Sequence, residues 1–348
     1  MAKKSSMSLP VQMLAGLVLG VVIGAFVSSD LATTWFKPLG DLFIRLIRMV
    51  VVPLVFATLV AGAAGIADVS KLGRVAVKTI ITFGVTTAIA VMFGLIFAGI
   101  IDPGIGLSLS TEGLKAANVQ APSMINVLLD IVPINPMEAF AKGSILQIIF
   151  FAVMFGFCLS ALGERGRPLL EFFEIMGDVM IRMTKGIFEP WLIAFTTCSS
   201  AAAMPANLLA SRRLGSTKTI ASFAVPLGNT INMNGTAIYM GVTAIFGAQV
   251  YGIDLSMADQ ITIVLMGVLA AIGTAGVPGA GLIMSTIVFT QVGIPLEAVA
   301  LIAGIDRILD MIRTSINVVG DSTTALVVSK LEGELGTEPV DEDEGLVA

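Results

Sequence analysis

One segment near the end of the chain constrains the fold more than any other. Asp306, Asp310, Arg313, Thr314, Asn317 and Asp321 interrupt a stretch otherwise rich in Ile, Leu, Val and Met. At about 100° per residue, a helix gathers those six positions into an arc of roughly 100°. Three carboxylates, a guanidinium and two neutral hydrogen-bonding groups then share one stripe, with Arg307 at its edge. The plain alternative is the solvated face of a surface amphipathic helix. Against it, the flanking residues 296–305 and 322–328 carry one charge between them, Glu297. Ionised groups between such flanks need an enclosure of protein within lipid, where they mark sites of function.

Composition supplies the lipid. Of 348 residues, 56% are hydrophobic and 13% charged, and the mean hydropathy is +0.94. Soluble proteins run at roughly 45–50% apolar and about 25% charged, so the chain reads as an integral membrane protein. Its 36 glycines suit helices that approach closely. Histidine is absent, which excludes a Ser-His-Asp triad and any His-ligated zinc or haem. Cys158 and Cys198 are the only cysteines and have no metal-ligand spacing. No phosphate loop of the GxxxxGK[ST] type occurs, so nucleotide energy would need another subunit. The net charge is −5 and no basic stripe supports nucleic-acid binding.

Apolar runs place spans at Val11–Ser29, Leu42–Ala64 and Val77–Ile101. The first follows Lys3-Lys4, has no signal-peptide cleavage site, and carries Gly16, Gly20 and Gly24 as a helix-packing stripe. Lys71, Arg74 and Lys78 place their loop and the N-terminus in the cytoplasm by the positive-inside rule. Arg45 and Arg48 fall inside the second span and need a partner, a wet surface or an interface. From Ser123 to Leu162, Asp130, Pro133, Asn135 and Pro136 predict a broken helix, and Leu169–Ile187 a further one. Residues 332–344 read as a solvated, frayed acidic tail.

Three polar or small-residue segments interrupt the apolar second half. Cys198–Pro205 and Gly273–Gly281 each have a small-residue tip with proline between apolar arms, the pattern of a re-entrant hairpin. Between them lies Asn229-Thr230-Ile231-Asn232-Met233-Asn234-Gly235-Thr236, whose unwinding would free carbonyls for a hard cation such as sodium. Arg313 can hold a carboxylate through two parallel hydrogen bonds, and Asp310 one turn earlier can pair with an ammonium. Both poles together fit a zwitterion with a second anionic group. Asn317 and Asp321 offer oxygens to sodium.

These residues resemble the dicarboxylate/amino acid:cation symporters, the glutamate and aspartate transporter homologues. The resemblance is most specific in 226–236, 273–281 and 304–321, and extends over 10–160, including Leu128-Leu129-Asp130-Ile131-Val132-Pro133. It implies an all-α polytopic fold with two re-entrant hairpins, broken helices and inverted repeats, an architecture for which an archaeal member of this family is a standard example. It also implies a homotrimer working by an elevator motion. Residues 1–76 would be scaffold helices 1–2, and 77–101 transport-domain helix 3. Residues 102–187 would be scaffold helix 4 and the start of helix 5. Residues 188–330 would form the transport core, and 331–348 an acidic cytoplasmic tail.

By position, Asp310 matches the ligand of the substrate amine and Arg313 that of its side-chain carboxylate. Thr236, Thr314 and Asn317 match hydrogen-bonding partners, with Ser200, Val277 and Gly281 adding hairpin contacts. Gly228, Asn232, Asn317 and Asp321 resemble one sodium site. Thr230, Met233, Ala271, Ile272 and Thr274 resemble a second. Thr86, Thr87, Asn232 and Asn234 fall where a third would be, but the family has aspartate at Asn234 and tyrosine at Phe83, so a charge is missing there. Met240 stands where proton-coupled animal members have glutamate, which removes that route for a proton. No organic cofactor is implied.

The family has the rest of its fifth span and all of its sixth between positions matching Ile187 and Phe188. Two crossings need about 40 residues. Either a stretch is left out of this sequence or scaffold and transport helices have been lost; the intact order of ligand positions downstream favours the former. The expected function is sodium-coupled symport of aspartate and/or glutamate across the cell membrane. A channel-like protein of this fold, a dicarboxylate carrier, and an intramembrane enzyme using Asp306 and Asp310 are the alternatives. Arg313 beside those carboxylates favours their ionised forms over a shared proton.

Overall fold

The structure is a computed structural model in which residues 37–66, 69–107, 129–184, 190–273 and 279–338 are described, with isolated positions 19, 34 and 125. The expected first span with Gly16, Gly20 and Gly24, the Ile187–Phe188 junction, Thr274, Val277 and residues 339–348 lie outside them.

Helix α1, Lys37–Gly65, carries Pro53 inside it and leads into α2, Val69–Ile101. Among the described residues, Lys71–Ile101 is the one helix long and apolar enough to cross a membrane, with a mean hydropathy of 2.3. Its helix starts eight residues before the expected Val77, so the boundary drawn between 76 and 77 falls inside a continuous helix. The broken element appears where prolines and capping residues placed it. The Asn135 side chain accepts from the Met137 N–H to start α3, Pro136–Lys142, and Gly143 at φ 68° ends it. Helix α4, Ile145–Ala161, follows, then a 3-10 turn at Gly163–Gly166 and α5, Arg167–Thr184.

The second half alternates short helices with tight reversals. Helix α6, Pro190–Thr197, ends at Cys198 with φ 53°. Ser199 then caps α7, Ser200–Arg213. Thr217 caps α8, Lys218–Ile231, and a two-residue break at Asn232 and Met233 separates it from α9, Asn234–Val250. Next come α10, Met257–Gly273, α11, Ala280–Gln291, α12, Glu297–Ala303, and α13, Asp306–Leu331.

Two apolar clusters flank α13. Leu54, Val60, Ile148, Phe173 and Phe223 centre the first, which also takes Val318 and Val328 of α13. Val91, Met240, Ile263, Phe289 and Ile302 centre the second, with Leu309 of α13 against it. Small residues let backbones touch, as lipid offers helices no hydrophobic drive to associate. A β-carbon on Gly94 of α2 would strike the Ile238 carbonyl of α9, and one on Gly241 of α9 would meet Val91 of α2.

The outer surface is aliphatic. Ile81, Phe93 and Ile100 of α2 are 58%, 50% and 71% exposed, and Ile308 and Val319 of α13 are 63% and 56% exposed. Such a surface calls for an apolar partner, lipid or protein, to cover it.

The acidic end departs from expectation. Residues 332–338 are docked, not frayed. Glu332 pairs with Lys78 at 2.5 Å and lies 4.0 Å from Arg74, while Glu334 pairs with Lys71. The Gly336 N–H donates to the Gly215 carbonyl at 2.7 Å, and the Lys218 N–H to Glu338 at 2.7 Å. Two tail carboxylates thereby match the cations at the start of α2, which is why that helix extends through Lys71 and Arg74.

Candidate functional site

All six residues of the α13 stripe are buried: Asp306, Asp310, Arg313, Thr314, Asn317 and Asp321 are each at most 5% exposed. Arg313 lies between two carboxylates of its own helix. Its Nη1 donates to Asp306 Oδ1 at 2.8 Å and its Nε to Asp310 Oδ1 at 3.0 Å. The guanidinium carbon sits 4.5 Å from the centroid of the Tyr239 ring on α9, a cation–π contact. Thr314 donates its hydroxyl to Asp310 at 3.2 Å, and the Gly279 N–H at the start of α11 reaches the other oxygen of Asp310 at 2.8 Å. The ligand assigned to a substrate amine is therefore tied to α11, beside the guanidinium assigned to a substrate carboxylate.

Glycines make this enclosure possible. A β-carbon on Gly281 would lie 2.6 Å from the Arg313 guanidinium, and one on Gly235 would run into the Arg313 backbone. Asn317 joins α13 to the start of α9. Its Oδ1 accepts from the Gly235 N–H at 2.7 Å, and its Nδ2 donates to Thr236 Oγ1 at 3.3 Å. Since the Gly235 N–H goes to Asn317, the Ile231 carbonyl at the end of α8 loses that helical donor.

The residues expected to hold cations group around this break. Gly228 backs directly onto Asp321, since a β-carbon there would lie 2.5 Å from Asp321 Oδ1. Asn232 Nδ2 donates to the same oxygen at 3.1 Å. The carboxylate is 1% exposed. Gly228, Asn232 and Asp321, expected from the sequence to share a cation, are thus brought together around one buried carboxylate. Thr230 lies in the last turn of α8 and Met233 within the break, both buried, and Ala271 and Ile272 lie in the last turn of α10, which packs against α8 and α9. Their partner Thr274 lies outside the described residues. Thr86 and Thr87 of α2 donate to Asn232 Oδ1 and Asn234 Oδ1, each at 3.2 Å.

Ser200, first residue of α7, is 2% exposed and its hydroxyl has no partner among the described residues. The Tyr239 hydroxyl and both polar side-chain atoms of Asn229 are also buried without one among the described residues. The sequence reading missed Tyr239, Asn229 and the pairing of Arg313 with Asp306. Tyr239 carries no sequence signal beyond lying three residues after Thr236; Asn229 stood within the polar run but was given no role.

A bundle with an aliphatic exterior around buried, partly unpaired polar groups is the build of a membrane carrier. The chain belongs to the sodium:dicarboxylate symporter family, whose sequence profile matches residues 9–188 and 180–331. It is 34% identical to the proton/sodium-glutamate symport protein of Geobacillus stearothermophilus over 402 residues, covering 94% of this chain and 95% of the relative. It is 33% identical to the proton/glutamate-aspartate symporter of Escherichia coli over 411 residues, covering 95% and 94%. It is 34% identical to the C4-dicarboxylate transport protein of Rhodospirillum rubrum over 397 residues, covering 93% and 88%. The chain is thus a multi-pass plasma-membrane transporter and not an enzyme. Each alignment is longer than the 348 residues of this chain, and the two profile matches meet at 180–188.

Proposed function

We propose that the chain is a sodium-coupled symporter of aspartate and/or glutamate, working by an elevator-type alternation of access. The observation that carries this reading is Arg313 held between Asp306 and Asp310, a buried site with one pole for carboxylate and one for ammonium. Arg313 would take the side-chain carboxylate of the substrate and Asp310 its amine. Thr236, Thr314, Asn317, Ser200, Val277 and Gly281 would complete the enclosure. Sodium travels as a co-substrate, one ion at Gly228, Asn232, Asn317 and Asp321 and another at Thr230, Met233, Ala271, Ile272 and Thr274. The α6–α7 and α10–α11 pairs serve as re-entrant hairpins, the second as the gate.

In the same reading, the scaffold expected at 1–76 ends before Val69, because α2 is one continuous helix; with 102–187 it stays fixed, while α2 and 188–330 move in each protomer of a homotrimer. The N-terminus and tail face the cytoplasm. Spans present in relatives are missing at the Ile187–Phe188 junction, a placement supported by the meeting of the two profile matches at 180–188.

A second reading, a C4-dicarboxylate carrier, is favoured by relatives of that name at equal identity. Asp310 opposes it, because a dicarboxylate has no ammonium to neutralise that carboxylate. Uptake of labelled aspartate, glutamate and succinate into proteoliposomes decides between them. Sodium-driven accumulation of either amino acid, with succinate excluded, is the expected result. Succinate uptake unaffected by either amino acid would reverse the assignment, and downhill flux without accumulation would make the protein a channel.

A further inference from the structure

We propose that Asn207 of α7 is a positioning residue for the candidate site: its side-chain amide grips one turn of α13, from Val318 to Ser322, and sets the rotation at which Asn317 and Asp321 meet the α8–α9 break. The inference rests on the symporter reading above and adds a residue outside the polar stripe.

Asn207 is 1% exposed. Its Nδ2 donates to the Val318 carbonyl at 3.0 Å, and its Oδ1 accepts from the Ser322 hydroxyl. A serine inside a helix can turn its hydroxyl back to the carbonyl four residues earlier. For Ser322 that carbonyl belongs to Val318, and the Asn207 amide bonds to both groups instead. Ser211, one turn along α7 and fully buried, places its hydroxyl 3.2 Å from the Ser322 hydroxyl and 2.8 Å from the Asn207 carbonyl. Packing does not call for such groups, because small residues suffice where helices meet in lipid. Directional bonds do what apolar contact cannot: once each member is satisfied, they select one arrangement of the two helices.

The turn that Asn207 grips also carries the C-terminal end of the stripe. Asn317 and Asp321 each stand one residue before a point of contact, about 100° around the helix. Asn317 accepts from the Gly235 N–H at 2.7 Å, and Asp321 accepts from Asn232 Nδ2 at 3.1 Å. The same turn is thus held from two sides, and the sides are unequal. Asn232 and Met233 lie between the two helices of the break, so their backbone can follow α13. Helix α7 runs unbroken from its Ser199 cap and gives the fixed reference. A rotation of about 20° would move a carboxylate about 5 Å from the helix axis by about 2 Å. A binding constellation tolerates roughly 0.5 Å. The partners of the Asn207 side chain, Val318 and Ser322, have no assigned contact with substrate, so Asn207 acts through α13 and not on the ligand.

The test is aspartate binding by isothermal titration calorimetry on the purified full chain, with proteoliposome uptake and thermal unfolding measured on the same variants. Asn207→Leu removes both bonds at similar side-chain volume and should weaken aspartate binding about tenfold. Its maximal uptake rate per folded protein should stay within about twofold, a loss in binding and not in turnover. Ser322→Ala removes one bond and should weaken binding about threefold. Added to Asn207→Leu it should cost nothing more, since both act through one amide. Ser329→Ala is the control for simple loosening. Its fully buried hydroxyl meets that of Ser216 at 2.8 Å, further along α13, so stability should fall while affinity holds. Unchanged affinity in folded Asn207→Leu, or in Ser322→Ala should the first variant not fold, overturns the proposal. So does an equal loss of affinity in Ser322→Ala and Ser329→Ala, which would make these bonds part of general packing. An unaltered chain that binds no aspartate at any sodium concentration overturns the symporter reading, and the proposal falls with it.

Discussion

Helices α2 and α13 are the two that meet the most different demands. Both show apolar side chains outward: Ile81, Ile89 and Phe93 on α2, and Ile308, Ile312 and Val319 on α13. Inward they diverge. The buried side of α2 is Leu72, Val75, Phe83 and Val91 with two threonines, and it lies backbone-close to α9 through Gly94. The buried side of α13 is three carboxylates and a guanidinium. The shared exterior is set by lipid and says nothing about function. The interior of α2 is what holding a bundle together requires, whereas the interior of α13 costs desolvation of charges that packing alone would never need. The contrast sets α13 apart as the helix that carries the candidate site.

The sharpest way to break this contrast is to remove Arg313. Arg313→Ala leaves Asp306 and Asp310 buried without their cation, and loss of one partner of a buried pair costs about 3–5 kcal/mol. Thermal unfolding should fall steeply and aspartate uptake vanish. Arg313→Lys keeps the charge but loses the two-pronged geometry, so it should recover much of the stability and little of the uptake. Equal recovery of both would make the arginine a structural residue only.

The outer face gives the next effect. Ile312, 48% exposed, should tolerate alanine with a change under about 0.5 kcal/mol. Ile312→Asp puts a charge in hydrocarbon, at about 2.5–3.5 kcal/mol on insertion scales. Comparing membrane-integrated yield of the two variants measures this. Equal yields would show that the face is wet, and the inside-out reading of α13 would fail.

A subtler change separates site from scaffold within α13. Gly281→Ala places a methyl group against the Arg313 guanidinium, the far end of a long side chain that can shift. Aspartate affinity should drop about tenfold, or roughly 1.4 kcal/mol, while the unfolding temperature barely moves. A matched loss of stability would mean that Gly281 packs the helix and does not seat the arginine.

These residues also show what the sequence makes legible. The α13 stripe was readable because charge at helical spacing among Ile, Leu and Val has one geometric solution. The α8–α9 break was readable because Asn232 and Asn234 have no reason to sit in lipid. Asn135 and Pro136 announced α3 through local capping chemistry. That Arg313 would bridge both Asp306 and Asp310 was not readable, since the stripe fixes their shared face but not their pairing. Tyr239 reaches it from another helix. The early start of α2 was hidden for the same reason. Lys71, Arg74 and Lys78 look like a loop because their neutralising partners Glu332 and Glu334 come from the other end of the chain.

That tertiary neutralisation sets up the smallest and most conditional effect, between the two ends of α2. At its start, Lys78 and Glu332 are joined at 2.5 Å, with Lys78 34% and Glu332 6% exposed. At its far end the tie involves a single charge: Gln249 Nε2 donates to Asp102 at 2.7 Å and its Oε1 accepts from the Gly104 N–H at 2.8 Å. Lys78→Gln should cost up to about 1 kcal/mol, as befits a partly exposed pair. The cost should shrink in about 1 M salt, where the Debye length is roughly 3 Å. Gln249→Ala should cost a similar amount that salt leaves largely unchanged. Reversing both partners, Lys78→Glu with Glu332→Lys, should recover only part of the loss, because the new lysine faces Arg74. Thermal unfolding at low and high salt reads all three, and a Lys78→Gln penalty that ignores salt would mean the tail is held by its backbone bond to Gly215 and not by charge.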